Sequence, residues 1–161
     1  MAQSCNVDLI GRDTCRGPLT VSTVMHGLVP KGQVVLRRGA RVGDGIYVTG
    51  TLGDAGLALS LLGSGHPVDA ALLQRLNRPD PRIKAGVALR SQATSAMDIS
   101  DGLSIDLEKL CLASAVGAVV YADKLPLSSV VLSHCRRDRG IELALSAGDD
   151  YELLFTMPEE R

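Results

Sequence analysis

Apolar positions in this chain switch between helical spacing and short β-prone runs, and the switches outline its elements. Leu103, Leu107, Leu110 and Cys111 recur at i, i+4, i+7 and i+8, one apolar stripe of a helix ending near Gly117, with Ser100 or Asp101 at its N-cap. Leu57, Ala58, Leu61 and Leu62 indicate a helix that stops at Gly63, and Asp69 to Leu76 reads as another. Asp80-Pro81 supplies a cap and a first-position proline for a third, with Ile83 and Val87 on its buried face and its end near Ser91. Ser128 or Ser129 caps a helix through Val131 to about Arg137. Strands are expected at Pro18 to Val29, Ile46 to Thr49, Ala96 to Ile99, Gly117 to Ala122 and Tyr151 to Met157. This mixture gives an α+β or α/β fold class.

A chain of 161 residues is long enough to bury a core, since domains most often run to about 100 to 150 residues. Three Tyr, one Phe and no Trp leave the core to aliphatic side chains and make stacking platforms for bases scarce. The formal net charge is −1 and the basic residues are dispersed, so nucleic acid is not an expected partner. No apolar run reaches the roughly 18 residues that span a bilayer, and Met1 to Asp8 lacks a signal-peptide layout, so no membrane partner is expected and the cytoplasm is the expected compartment. Cys5, Cys15, Cys111 and Cys135 form no C-x-x-C pair and read as reduced and mostly buried. A shift in composition across Ala40 to Gly45 divides the chain into residues 1–42 and 43–161.

Candidate chemistry centres on Asp98-Ile99-Ser100-Asp101-Gly102. One Asp before a helix is ordinary capping, but two Asp with a Ser exceed what a cap needs, and Mg²⁺ is usually held by one or two carboxylates with phosphates and waters. Asp13 is a further candidate carboxylate or a turn residue. Arg37, Arg38 and Arg41 form a solvated surface or a polyphosphate contact. Gly50-Thr51-Leu52-Gly53-Asp54 joins strand to helix and could expose amides to phosphate, although it matches neither a Walker loop nor G-x-G-x-x-G. Gly148-Asp149-Asp150 is either a solvated turn or a second acidic site.

Gly11-Arg12-Asp13-Thr14-Cys15-Arg16-Gly17-Pro18, His26 to Pro30, Arg37 to Gly50, Met97 to Leu103 and Ser146 to Phe155 together resemble the thiamine-monophosphate kinase family. Its superfamily also contains aminoimidazole ribonucleotide synthetase and selenophosphate synthetase. The most specific part is Asp98 to Gly102 paired with Gly148-Asp149-Asp150-Tyr151-Glu152-Leu153-Leu154-Phe155. The resemblance implies ATP and thiamine phosphate as partners, several Mg²⁺ ions, and transfer of the γ-phosphoryl group to give thiamine diphosphate. It also implies Asp13, Asp98 and Asp101 as Mg²⁺ ligands, Arg12, Asp13, Arg37 and Ser100 as nucleotide contacts, and Asp149 as a substrate contact. Asp149 stands where the family has Glu, and Arg12 where it usually has Gly. No general base is implied, because a phosphate oxygen with a second pKa of about 6 is already largely anionic.

By the same resemblance, residues 1–42 are the later part of an N-terminal ATP- and Mg-binding domain, and residues 43–161 most of the C-terminal domain. The chain then reads as a fragment that lacks most of the domain through which the family forms homodimers. Another ATP-dependent synthetase, or a non-catalytic fragment that keeps the fold, are the competing readings.

Overall fold

The computed structural model describes residues 7–11, 13, 14 and 16–159. It divides into two compact units, Met1–Val34 and Val35–Arg161.

Among the described residues of the first unit there is no helix or strand. The expected strand from Pro18 to Val29 does not form; Leu19 and Leu28 are exposed. A Val- and Thr-rich stretch has β propensity, but a strand requires a ladder partner. His26, expected within that strand, is likewise exposed.

The second unit is mixed α/β. In chain order its elements are β1 (Asp44–Val48), α1 (Asp54–Gly63), α2 (Ala70–Asn77), α3 (Ile83–Ala88), β2 (Ser95–Asp98), α4 (Leu103–Ser114), a short 3₁₀ turn (Ala122–Lys124), α5 (Ser129–His134), α6 (Arg137–Ser146) and β3 (Leu153–Pro158). The last strand lies in the middle of a three-stranded antiparallel sheet ordered β1-β3-β2. Leu154 of β3 faces Val48 on one side and Met97 on the other.

Leu154 packs into a cluster with Leu52, Ile99, Leu103, Leu107, Leu110 and Ala144. A second cluster gathers Leu57, Ala58, Leu72, Val131 and Leu143. Consecutive residues of α6, Leu143 and Ala144, thus feed both clusters. Aliphatic residues fill both, as the scarcity of aromatics requires. Tyr47 and Phe155 stack across the β1–β3 pair with ring centroids 5.6 Å apart. Cys111 and Cys135 are free thiols and only half-buried, and burial raises the pKa of Cys111; Cys5 and Cys15 lie outside the described residues.

Several expectations are corrected. Asp80 does not cap α3; Arg82 stands at that N-cap and pairs with Asp80, while Ile83 and Val87 are exposed. Gly117 to Ala122 is not a strand, although Val119 and Val120 favour one. Pairing is a non-local condition that propensity does not report. Residues 117–121 of that segment line, together with Ile46, Val48 and Leu107, a groove of about 640 Å³. The fifth helix stops at His134, earlier than expected, and α6 was not expected at all.

Candidate functional site

Backbone bonds join the two acidic stretches. The β2–β3 ladder reaches Asp98 opposite Leu153 and then continues into the loops: Ile99 N donates to Glu152 O (2.9 Å), Tyr151 N to Ile99 O (2.9 Å) and Asp149 N to Ser100 O (3.0 Å). Two glycines permit so close an approach. A Cβ on Gly148 would lie 2.3 Å from Ser100 O, and Gly102, at φ +102°, lies against the backbone of Leu145 to Ala147. Residues distant in sequence are thereby fixed side by side.

The N-terminus of α4 departs from expectation. Gly102 is the N-cap, without a side-chain bond, and neither Ser100 nor Asp101 caps the helix. Asp106 reaches back from the helix instead, its Oδ2 accepting from Ser100 N and Asp101 N, both at 2.9 Å. Asp106 thus ties the loop ahead of the N-cap to the helix, while the Asp101 side chain takes no part in capping. It is exposed and pairs with the Lys109 ammonium, which also binds Asp106 Oδ1 at 2.8 Å. The hydrogen bond from Lys109, and then its charge, lower the pKa of Asp101; the bonds to Asp101 and Asp106 raise that of Lys109.

Asp98, exposed at the end of β2, shares a neighbourhood with Asp101, Asp149 and Tyr151. The Tyr151 hydroxyl donates to Asp149 Oδ1 at 3.1 Å. That bond comes first among the causes that raise the phenol's pKa, followed by the Asp149 charge, burial, and the charges of Asp98 and Asp101. Asp149 and Tyr151 both hold positive φ, at 66° and 50°, an uncommon conformation for side-chain-bearing residues. Among the described residues no group of three or more His, Cys, Asp or Glu is close enough to hold one metal ion by itself. Two exposed carboxylates are nonetheless the hard oxygen donors that Mg²⁺ takes together with waters and phosphates, so the donor set of Asp98 and Asp101 fits.

The remaining candidates are placed separately. Arg12 lies outside the described residues. Asp13 is in the first unit, where its Oδ1 accepts from Thr14 N at 2.7 Å. Arg37 is exposed in the second unit, immediately after Leu36, whose carbonyl accepts from Ala96 N of β2 at 2.9 Å. In the Gly50–Asp54 loop two amides are already taken: Gly53 N donates to Asp150 Oδ2 at 2.8 Å and Leu52 N to Pro126 O at 2.9 Å. Thr51 Oγ1 and Ser128 Oγ bond the Asp54 carboxylate at 2.6 and 2.5 Å.

Asp150 is therefore buried rather than in a solvated turn, and burial, against bonds from the Gly53 and Ala55 amides and the charge of Arg75, raises its pKa to about 6. Sequence reasoning missed Asp106, Lys109 and Glu152. The Asp106–Lys109 spacing of three on a helix was the available signal for the first two; nothing local marks Glu152.

The sequence profile of the AIR synthase related protein, C-terminal domain, matches residues 41–161. Thiamine-monophosphate kinase of Salmonella typhimurium is 46% identical over 159 residues, covering 96% of this chain and 49% of the relative. The Escherichia coli protein of the same name is 45% identical with the same coverage. Among solved structures, thiamine-monophosphate kinase from Stenotrophomonas maltophilia superposes with a TM-score of 0.78 at 42% identity, covering 82% of this chain and 45% of that one. AaThiL complexed with AMPPCP and TMP superposes at 0.72 and 42% identity, covering 78% and 43%. The chain spans about half the length of the curated relatives it matches.

Proposed function

We propose, from the premise that this chain belongs to the AIR synthase related protein family through that family's C-terminal domain, that it forms part of a kinase transferring the γ-phosphoryl of ATP to thiamine phosphate. The observation that carries this reading is the stitching of Asp98–Gly102 to Gly148–Glu152, which sets Ser100 and the carboxylates of Asp98, Asp101 and Asp149 in one neighbourhood. Relatives named thiamine-monophosphate kinase, and the similar structure of AaThiL complexed with AMPPCP and TMP, support it.

On this reading, the work of the chain is positioning and charge neutralisation. The acceptor, a phosphate oxygen, is already an anion near neutral pH, so no side chain has to remove a proton. Asp98 and Asp101 would hold Mg²⁺, which when bound would offset the mutual repulsion of the phosphates. Ser100 and Arg37 contact the nucleotide. Asp149 contacts thiamine phosphate, and its bond from Tyr151 orients it for that purpose. Residues 1–42 and 43–161 correspond to the two domains implied by the resemblance.

The test is thermal unfolding of the chain with and without Mg²⁺ and a non-hydrolysable ATP analogue, for wild type and Asp98→Asn. A ligand present at about 100 times its Kd stabilises the folded state by about 2.7 kcal/mol, which for a domain of this size is a shift of several degrees. A shift in wild type that is lost in the variant supports the reading. No shift in a cooperatively unfolding wild type leaves a domain with the family fold and no nucleotide site.

A further inference from the structure

We propose that the buried Asp106 carboxylate is a holding place for the Lys109 ammonium, so that Lys109 occupies Asp101 in the ion-free protein and surrenders it to an arriving divalent cation. The inference rests on the reading of Asp101 as a cation ligand and makes Asp106 and Lys109 positioning residues.

The geometry is that of one ammonium shared by two unequal carboxylates. Asp101 is 54% exposed in its side chain and carries the ion pair on a loop; Asp106 is fully buried and anchored. Its Oδ2 accepts the Ser100 and Asp101 amides and its Oδ1 takes Lys109, so its position does not depend on what Asp101 binds. A dication at Asp101 repels the ammonium. Were Asp101 its sole partner, Lys109 would have to move into solvent. With Asp106 only three residues away on the same helix, the ammonium keeps its bond to Oδ1 and gives up only the exposed one. The buried charge of Asp106 is then never left unpaired, which would be the expensive outcome. The same carboxylate fixes the Ser100–Asp101 backbone throughout, so the loop keeps its shape while its counter-ion changes.

The measurement is paramagnetic broadening of the Asp98 and Asp101 amide signals by Mn²⁺ alone, titrated into the ¹⁵N-labelled full chain and into three variants. Lys109→Met removes the resident cation, and half-broadening is expected at about fivefold lower Mn²⁺, the size of effect for one nearby charge at an exposed site. Asp106→Asn keeps a carbonyl for the two amides but turns an NH₂ toward Lys109. The ammonium then relies on Asp101, and half-broadening moves to severalfold higher Mn²⁺.

The double variant decides between competition and mere structural support. With Lys109 gone, the Asn substitution no longer matters, and the double variant behaves as Lys109→Met does. A double variant as weak as Asp106→Asn, or Lys109→Met equal to or weaker than wild type, overturns the proposal. If Asp106→Asn does not fold, Lys109→Arg takes its place: keeping the charge, it should keep the wild-type midpoint, and a midpoint matching Lys109→Met overturns the proposal. Absence of broadening at Asp98 and Asp101 in wild type overturns the cation-site reading itself, and this inference with it.

Discussion

Arg82 grips Glu152 with two parallel bonds, Nε to Oε2 and Nη2 to Oε1, each 2.6 Å long, and Glu152 is fully buried while doing so. Arg75 Nη2 adds an ion pair at 2.8 Å and Thr49 Oγ1 a hydrogen bond at 2.5 Å. One carboxylate on the approach to β3 thus holds α2, the start of α3 and the end of β1 together. Replacing Glu152 by Gln leaves two arginines facing an uncharged amide. A loss of about 3 to 5 kcal/mol is expected, as for breaking a buried ion pair. Arg82→Met leaves Arg75 and Thr49 in place and should cost less. Urea denaturation orders the two; equal losses would show that Arg75 contributes nothing.

Two residues earlier, Asp150 has the opposite relation to pH. Burial raises its pKa to about 6, above the value of about 3.9 expected in the unfolded chain. The folded state therefore binds this proton more tightly. The resulting stabilisation is complete below about pH 4 and is lost as pH rises through about 6. For Glu152, burial raises the pKa, but the bonds from Arg82 and Thr49 and the charges of Arg75 and Arg82 outweigh it and the net shift is downward. Its contribution is present above the unfolded carboxylate value and is lost as pH falls through its lowered folded value. Comparing wild type with Asp150→Asn isolates the first effect. Relative to the variant, wild type should lose on the order of 2 kcal/mol between pH 4 and pH 7. A difference that does not vary with pH would assign Asp150 an ordinary carboxylate equilibrium.

What the sequence makes legible is local. The stripe through Leu103, Leu107 and Leu110, the Ser128 cap and the stop at Gly63 are all set within a turn or two of helix, and each stands in the structure. The strand expected at Gly117 to Ala122 depends on a partner elsewhere in the chain, and its valines alone could not secure one. The sixth helix was hidden by its charged opening and by Gly140. That glycine is there for space: a Cβ would come 3.0 Å from Leu127 and 3.1 Å from Val131. The two acidic motifs were readable as motifs, but the bonds joining them, and the reach of Asp106 back to the loop, belong to the folded chain.

Ser128 illustrates how one legible cap does a second task. Its Oγ accepts from Val131 N at 3.0 Å and donates to Asp54 Oδ1 at 2.5 Å, tying α5 to the first turn of α1. Ser128→Ala removes the cap and leaves a buried carboxylate oxygen without that donor, for an expected loss of about 1 to 3 kcal/mol. Ser128→Thr, which keeps the hydroxyl, should recover most of it. Failure of Thr to recover stability would mean that side-chain volume, not the hydroxyl, matters at this position.

Gly148 offers the sharpest test of the stitched loops, because its substitution strains contact without removing any functional group. Its Cβ would meet Ser100 O at 2.3 Å and Ser100 C at 3.3 Å, both backbone atoms that no rotamer change can move aside. Gly148→Ala must push the Ser100–Asp101 loop away or shift its own loop, at a cost of about 1 to 3 kcal/mol, typical of overpacking. The bond from Asp149 N to Ser100 O should weaken with it, and the Mg²⁺–nucleotide thermal shift of the proposed site should fall with the loss of alignment. Gly117→Ala is the control, since nothing lies within 4 Å of a Cβ there, and it should leave both quantities near wild type. Should Gly148→Ala lose stability yet keep the full ligand-induced shift, the close contact supports the fold alone, and the site would tolerate looser registry between the two loops than the proposed function requires.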